Sequence, residues 1–167
     1  LAGRQRSALR ALDAEAHELL LQEALVQWQL QEQWQGLLDH ARQRGIQVIG
    51  DVPFYVAHDS ADVWSHRHLF SAAADGSLSQ QSGVPPDYFS ATGQLWGTPV
   101  YRWPLHRLTR FRWWLRRLER QLSLVALLRL DHFRALEAAW CVPGGDHTAE
   151  RGCWRPSEKR CAACCAT

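Results

Sequence analysis

The stretch Leu122-Ser123-Leu124-Val125-Ala126-Leu127-Leu128 is almost wholly aliphatic, and it runs straight into Arg129-Leu130-Asp131-His132-Phe133-Arg134. An apolar run of this length reads as a strand buried on both faces, the habit of parallel sheets, and it restricts the chain to an α/β architecture. A fold has no need of so many ionisable groups at a strand end, whereas a site at the mouth of an α/β barrel does. Side chains alternate along a strand, so Arg129, Asp131 and Phe133 are expected on one face and Leu130 and His132 on the other. A guanidinium beside a carboxylate keeps it ionised. That is the state required of a covalent nucleophile or of a group stabilising an oxocarbenium ion. On its own the hexapeptide fits equally well a structural Arg/Asp pair that pins a strand end.

The rest of the chain supplies a frame for that strand. Residues 5–43 read as helix, from Leu9, Leu12, Ala16 and Leu19 and then Leu21, Leu25 and Trp28 at three- and four-residue spacing, with a break around 22–26. Trp28, Trp34, Trp113 and Trp114 lie on helical stretches and are expected to pack. Gly45 suits a helix C-terminus. Residues 46–52 form a short buried strand that Pro53 ends. Asp59 or Ser60 can cap a helix over 61–70. Residues 71–104 show no periodicity and read as one long aromatic-rich loop. Leu108, Phe111, Leu115, Leu118 and Leu122 mark an amphipathic helix, and the strand 124–131 follows. The order helix, strand, long loop, helix, strand predicts a right-handed βαβ unit. Both strands end in an aspartate, Asp51 and Asp131, which such a sheet would bring to one face.

Three segments, taken in order, resemble the 4-alpha-glucanotransferases of the amylomaltase, or disproportionating enzyme, family. They are the strand end Arg129-Leu130-Asp131-His132-Phe133-Arg134, the stretch from Gly50-Asp51-Val52-Pro53-Phe54-Tyr55 to Trp64, and the stretch from Gly83-Val84-Pro85-Pro86-Asp87-Tyr88-Phe89 to Trp96-Gly97. The resemblance covers about Trp28 to Trp154 and implies a (β/α)8 barrel. A whole barrel needs about 250 residues, so 167 residues are expected to be a partial barrel, with residues 1–154 as catalytic-barrel sequence and 155–167 as a divergent tail, frameshifted or disordered.

The resemblance implies a retaining double displacement on α-1,4-glucan, with Asp131 as nucleophile, Arg129 keeping it ionised, and Asp51 and His132 on sugar hydroxyls or their hydrogen-bond network. Tyr88, Phe89 and Trp96 are implied to line the glucan groove. Aromatic faces stack on sugar rings, which also recommends Tyr101 in the same loop. The expected partner is maltodextrin, with no cofactor, no metal and a cytoplasmic location. Two departures from the family pattern are Thr98 in place of Asn and Ala135 in place of Gly, the second costly if the backbone there needs positive φ. The family's acid/base glutamate, in an Asp-Leu-Gly context, has no counterpart here. Glu137 lies on the same segment as Asp131 and is not expected to reach across the site. The chain alone is therefore expected to be nearly inert.

Composition narrows the alternatives. A net charge of +2 gives no field that would favour nucleic acid or an anionic membrane, and no apolar run reaches transmembrane length. There are five cysteines, and Cys161-x-x-Cys164 is half a zinc or redox signature without its second half. The competing readings are a non-catalytic glucan-binding module built on the same aromatics, and an inactive truncated α/β piece whose open edges prevent independent folding. Oligomeric state is open.

Overall fold

The computed structural model describes residues 3–157. The elements are α1 (Arg6–Glu15), α2 (His17–Gln43), β1 (Ile49–Val52), α3 (Ala61–Ser65), β2 (Gln80–Val84), β3 (Gln94–Pro99), α4 (Trp103–Leu108), α5 (Arg112–Leu122), β4 (Leu127–Leu130), β5 (Ala138–Pro143) and β6 (Cys153–Pro156). Short 3-10 turns occupy Arg67–Leu69 and Phe133–Leu136. The chain divides into two compact units.

The first unit holds the chain up to Val52 together with Trp114–Arg129. The long N-terminal helix breaks at Ala16, earlier than the apolar spacing suggests. The end of α2 is a Schellman motif. Gly45, at φ 69°, donates to the Arg42 carbonyl, and Ile46 donates to that of Ala41. Trp34 donates its indole N–H to the Leu124 carbonyl at 2.6 Å and so packs as expected. Trp28 does not; it is 59% exposed. β1 and β4 form a two-stranded sheet. Ala126 and Leu127 donate to the Val48 carbonyl, and further along Arg129 meets Asp51, so residue numbers rise together and the strands run parallel. The strands are shorter than the sequence suggests and are not buried on both faces. Among the described residues each has one strand neighbour, and Ile49 and Leu127 are 66% and 48% exposed.

The second unit holds Pro53–Trp113 and the chain from Leu130 onward. Its antiparallel sheet has the order β3-β2-β5-β6. This overturns the reading of 71–104 as one loop. Gln80-Gln81-Ser82-Gly83-Val84 and Gln94-Leu95-Trp96-Gly97-Thr98-Pro99 lack the β-branched alternation that marks a strand, and pairing rather than propensity makes them strands. Ser60 caps α3 by accepting from the Val63 N–H, as expected. The helix expected from Leu108 onward is two helices. The chain turns between them, with Arg110 and Phe111 both at positive φ (51° and 54°), so Leu108 and Phe111 leave the apolar stripe of α5. Trp113 is buried here, as is Trp114 in the first unit. Phe54, Phe70, Tyr101, His106 and Trp113 form a core of edge-on and tilted rings 5.3–6.4 Å apart. β6 carries the sheet to Pro156, two residues into the stretch where composition changes.

Candidate active site

Each unit brings together part of the expected set. In the first, Asp51 is the third residue of β1 and Arg129 the third of β4, and Arg129 Nε lies 3.5 Å from Asp51 Oδ1. Both side chains are more than half exposed, so the pair orients two groups at the strand ends and adds little stability. The sequence suggested Asp131 as the carboxylate served by Arg129. β4 ends at Leu130, however, and Asp131 begins a turn, so the strand alternation that would place the two on one face stops a residue short.

In the second unit Asp131 is exposed, and the next residue carries the local constraint. His132 has φ 53° and ψ 41°, the left-handed region, where residues other than glycine are uncommon. Its imidazole meets Trp96 edge-on, centroids 4.8 Å apart, and Tyr55 at 6.0 Å. Nε2 is buried and has no hydrogen-bond partner. Burial lowers the imidazole pKa below its usual 6.5; the Asp131 charge opposes this and Arg134 adds to it. A neutral imidazole with an open ring nitrogen can exchange a hydrogen bond with a ligand hydroxyl.

The loop between β2 and β3 is ordered by its own side chains. Asp87 accepts from the Phe89 and Ser90 N–H groups at 2.9 Å, and Ser90 Oγ donates to the Gly93 carbonyl. It presents Tyr88 and Phe89, 97% and 92% exposed, as an edge-to-face pair. Trp96 stands on β3 beside Gly97 (φ 66°), its indole N–H donating to Gln94 Oε1. Tyr101 does not join them. It is 7% exposed and donates its hydroxyl to the Phe54 carbonyl at 2.6 Å, so it is core rather than an open sugar platform. Its ring stacks under Tyr55, 6.0 Å away and 14° from parallel. Tyr55 was not singled out by the sequence, although it sits in the Asp51 segment. It joins Tyr101, Trp96 and His132 into one aromatic group, and burial raises its hydroxyl pKa, with Cys141 adding to the effect.

Both departures from the family pattern are accommodated. The Thr98 hydroxyl shares a short hydrogen bond with that of Ser82. Ala135 is buried within the 3-10 turn Phe133–Leu136 and outside the positive-φ residues, so its methyl brings no backbone strain. Among the described residues no group of three or more His, Cys, Asp or Glu could hold a metal ion, and no helix is long and apolar enough to cross a membrane. Cys161-x-x-Cys164 lies outside the described residues.

Comparison with known proteins bears on this geometry. A family model described as 4-alpha-glucanotransferase matches residues 1–164. A 4-alpha-glucanotransferase of Aquifex aeolicus is 50% identical over 129 residues, covering 77% of this chain and 27% of the relative. One from Thermus thermophilus is 44% identical over 158 residues, 93% of this chain and 32% of the relative. Among solved structures, the amylomaltase of Streptococcus agalactiae in complex with acarbose superposes with a TM-score of 0.91 at 36% identity, over 93% of this chain and 32% of that one. The chain therefore spans about a third or less of the length of these relatives.

Proposed function

The chain belongs to the 4-alpha-glucanotransferase family, and from that premise we propose that its residues supply the nucleophile side and part of the glucan groove of a retaining glucan-transfer site. Asp131 attacks the anomeric carbon of an α-1,4-linked glucose. The bond to the departing glucan breaks, and the glycosyl group rests on the carboxylate until another glucan hydroxyl takes it. His132 holds a sugar hydroxyl through Nε2, Trp96 and the Tyr88/Phe89 pair stack on glucose rings, and Arg129 and Asp51 form a charged pair at the strand ends that contacts or orients substrate. β1 and β4 are read as staves of a (β/α)8 barrel of which this chain supplies part, which their parallel pairing and outward-facing Ile49 and Leu127 support. The acarbose bound to the Streptococcus agalactiae amylomaltase supports a maltodextrin ligand.

The observation that carries this reading is His132. A strained residue directly after Asp131, with a buried open nitrogen against Trp96, suits ligand binding better than it suits packing. The residues contain no Asp-Leu-Gly glutamate to act as acid/base, so the chain alone should turn over little. The test is α-maltosyl fluoride, whose fluoride leaves without acid assistance. The chain should accumulate one maltosyl group on the peptide containing Asp131, and Asp131→Asn should accumulate none. Glucose release from maltotriose should not exceed that of the same variant. Labelling of another carboxylate would refute the nucleophile assignment. Maltodextrin quenching of tryptophan fluorescence that Asp131→Asn leaves unchanged, together with no labelling, would favour a binding module instead.

A further inference from the structure

Cys141 on β5 and Cys153 on β6 stand directly opposite one another across an antiparallel ladder, and both are free thiols. The ladder's hydrogen bonds fix which kind of pair this is. Ser157 N–H donates to the Glu137 carbonyl, and pairs of the same kind recur every second residue, at Ala139/Arg155 and Cys141/Cys153. Pro156, which has no N–H, falls on the intervening kind opposite Ala138. The two cysteines thus form a hydrogen-bonded pair, for which Cα atoms lie about 5.5 Å apart, within the span of a disulfide. Directly opposed side chains also project from the same face of the sheet. β6 is the outer strand in the order β3-β2-β5-β6, so it can shift by the roughly 1 Å or more by which this pair type holds Cβ atoms too wide.

We propose that Cys141 and Cys153 form a thiol–disulfide exchange site that closes into a cross-strand disulfide when it meets a low-molecular-weight disulfide of the glutathione class. Cys153, the more accessible of the two, attacks first. Its thiolate displaces one small thiolate and leaves a mixed disulfide. Cys141 then gives up its proton, attacks Cys153 Sγ and expels the second small thiol. Two cysteine thiols are oxidised by two electrons, and the small disulfide is reduced to two thiols. Cys141 is suited to the second step only, because burial pushes its thiol up to about 12, with Arg155 pulling the other way. Its fixed place opposite Cys153 offsets its small thiolate fraction. A bond across a wide pair is readily reopened by excess reduced thiol. The site is independent of glucan transfer, and none of its atoms belongs to the proposed groove.

Trypsin separates the relevant cysteines without any mutation: Cys141 falls on 135–151, Cys153 on 152–159 because Arg155-Pro156 resists cleavage, and the remaining three on 161–167. The full chain is treated with oxidised glutathione, alkylated and mapped by mass spectrometry. The expected product is a 135–151/152–159 link at least about tenfold more abundant than any link to 161–167, lost on adding reduced glutathione and scrambled when oxidation is done in concentrated urea. Glutathione persisting on 152–159 with Cys141 free, links to 161–167 in the majority, or thiols that stay unreacted would each overturn the proposal. Cys153→Ser should leave Cys141 unmodified; rapid glutathione addition to Cys141 in that variant would also overturn it.

Discussion

Acid should weaken the second unit through a single histidine. His106 on α4 is fully buried among Phe70, Tyr101, Trp103 and Trp113. Its Nε2–H donates to the Leu69 carbonyl at 3.2 Å, and Nδ1 has no partner, so the ring is neutral in the fold. Burial pushes its pKa down from 6.5 to about 4; the Leu69 bond opposes this and His68 adds to it. In the unfolded chain the imidazole takes up its proton near 6.5, so between pH 6.5 and 4 the unfolded state binds more protons and stability falls as pH falls. The contribution is complete above about pH 6.5. It amounts to about 2 kcal/mol lost by pH 5 and about 3 kcal/mol by pH 4, at roughly 1.4 kcal/mol per unit. With a urea dependence of about 1–3 kcal/mol per molar, the midpoint should drop by about 1 M or more from this group alone. The measurement is a difference between the natural chain and His106→Gln, so that pH effects common to both chains cancel. Gln keeps a side-chain N–H for Leu69 and cannot be protonated, and any packing loss it brings is independent of pH. The gap between the two urea midpoints should narrow or reverse as pH is lowered from 7 to 4. A gap that stays constant would show that His106 is not held neutral by its surroundings.

Two further substitutions test the β2–β3 hairpin and its loop. A Cβ at Gly83 would lie 2.4 Å from the Gln94 carbonyl oxygen, a backbone atom of the paired strand, so Gly83→Ala should cost about 1–3 kcal/mol, read as a lowered thermal midpoint by circular dichroism. Replacing Tyr88 and Phe89 together by Ala should change stability by less than about 0.5 kcal/mol per site, because both rings are solvent-exposed, yet weaken maltodextrin quenching of tryptophan fluorescence several-fold. Unchanged quenching would remove the pair from the groove.

What the sequence revealed and what it hid follow from how local each signal is. Gly45 and Ser60 were legible because a helix end is fixed by one or two residues whose backbone and side chain act on the spot. The strand that leads into Asp131 was legible because an aliphatic run of that length has few other uses. The hairpin of β2 and β3 was not, because Gln80 to Val84 and Gln94 to Pro99 become strands only by pairing with each other and with β5. The left-handed turn at His132 was also hidden, since nothing local to Asp131-His132-Phe133 announces that β4 stops at Leu130. Tyr101 was misplaced for a related reason: an aromatic in a stretch without periodicity looks exposed until the strand beside it is known.

The loop carrying Tyr88 and Phe89 divides sharply into parts that selection can and cannot rework. At its base, a side chain on Gly83 or Gly93 would press into the carbonyl oxygen of Gln94 or Val84 at 2.4 Å, and Gly93 also needs a φ of 70°. At its tip the two rings are open to solvent. Mutations at the base are filtered by folding before any ligand is met, while mutations at the tip are seen by the ligand alone. A lineage descended from this chain could drift in ligand preference through the tip residues, one exposed ring at a time, without first acquiring compensating stability elsewhere.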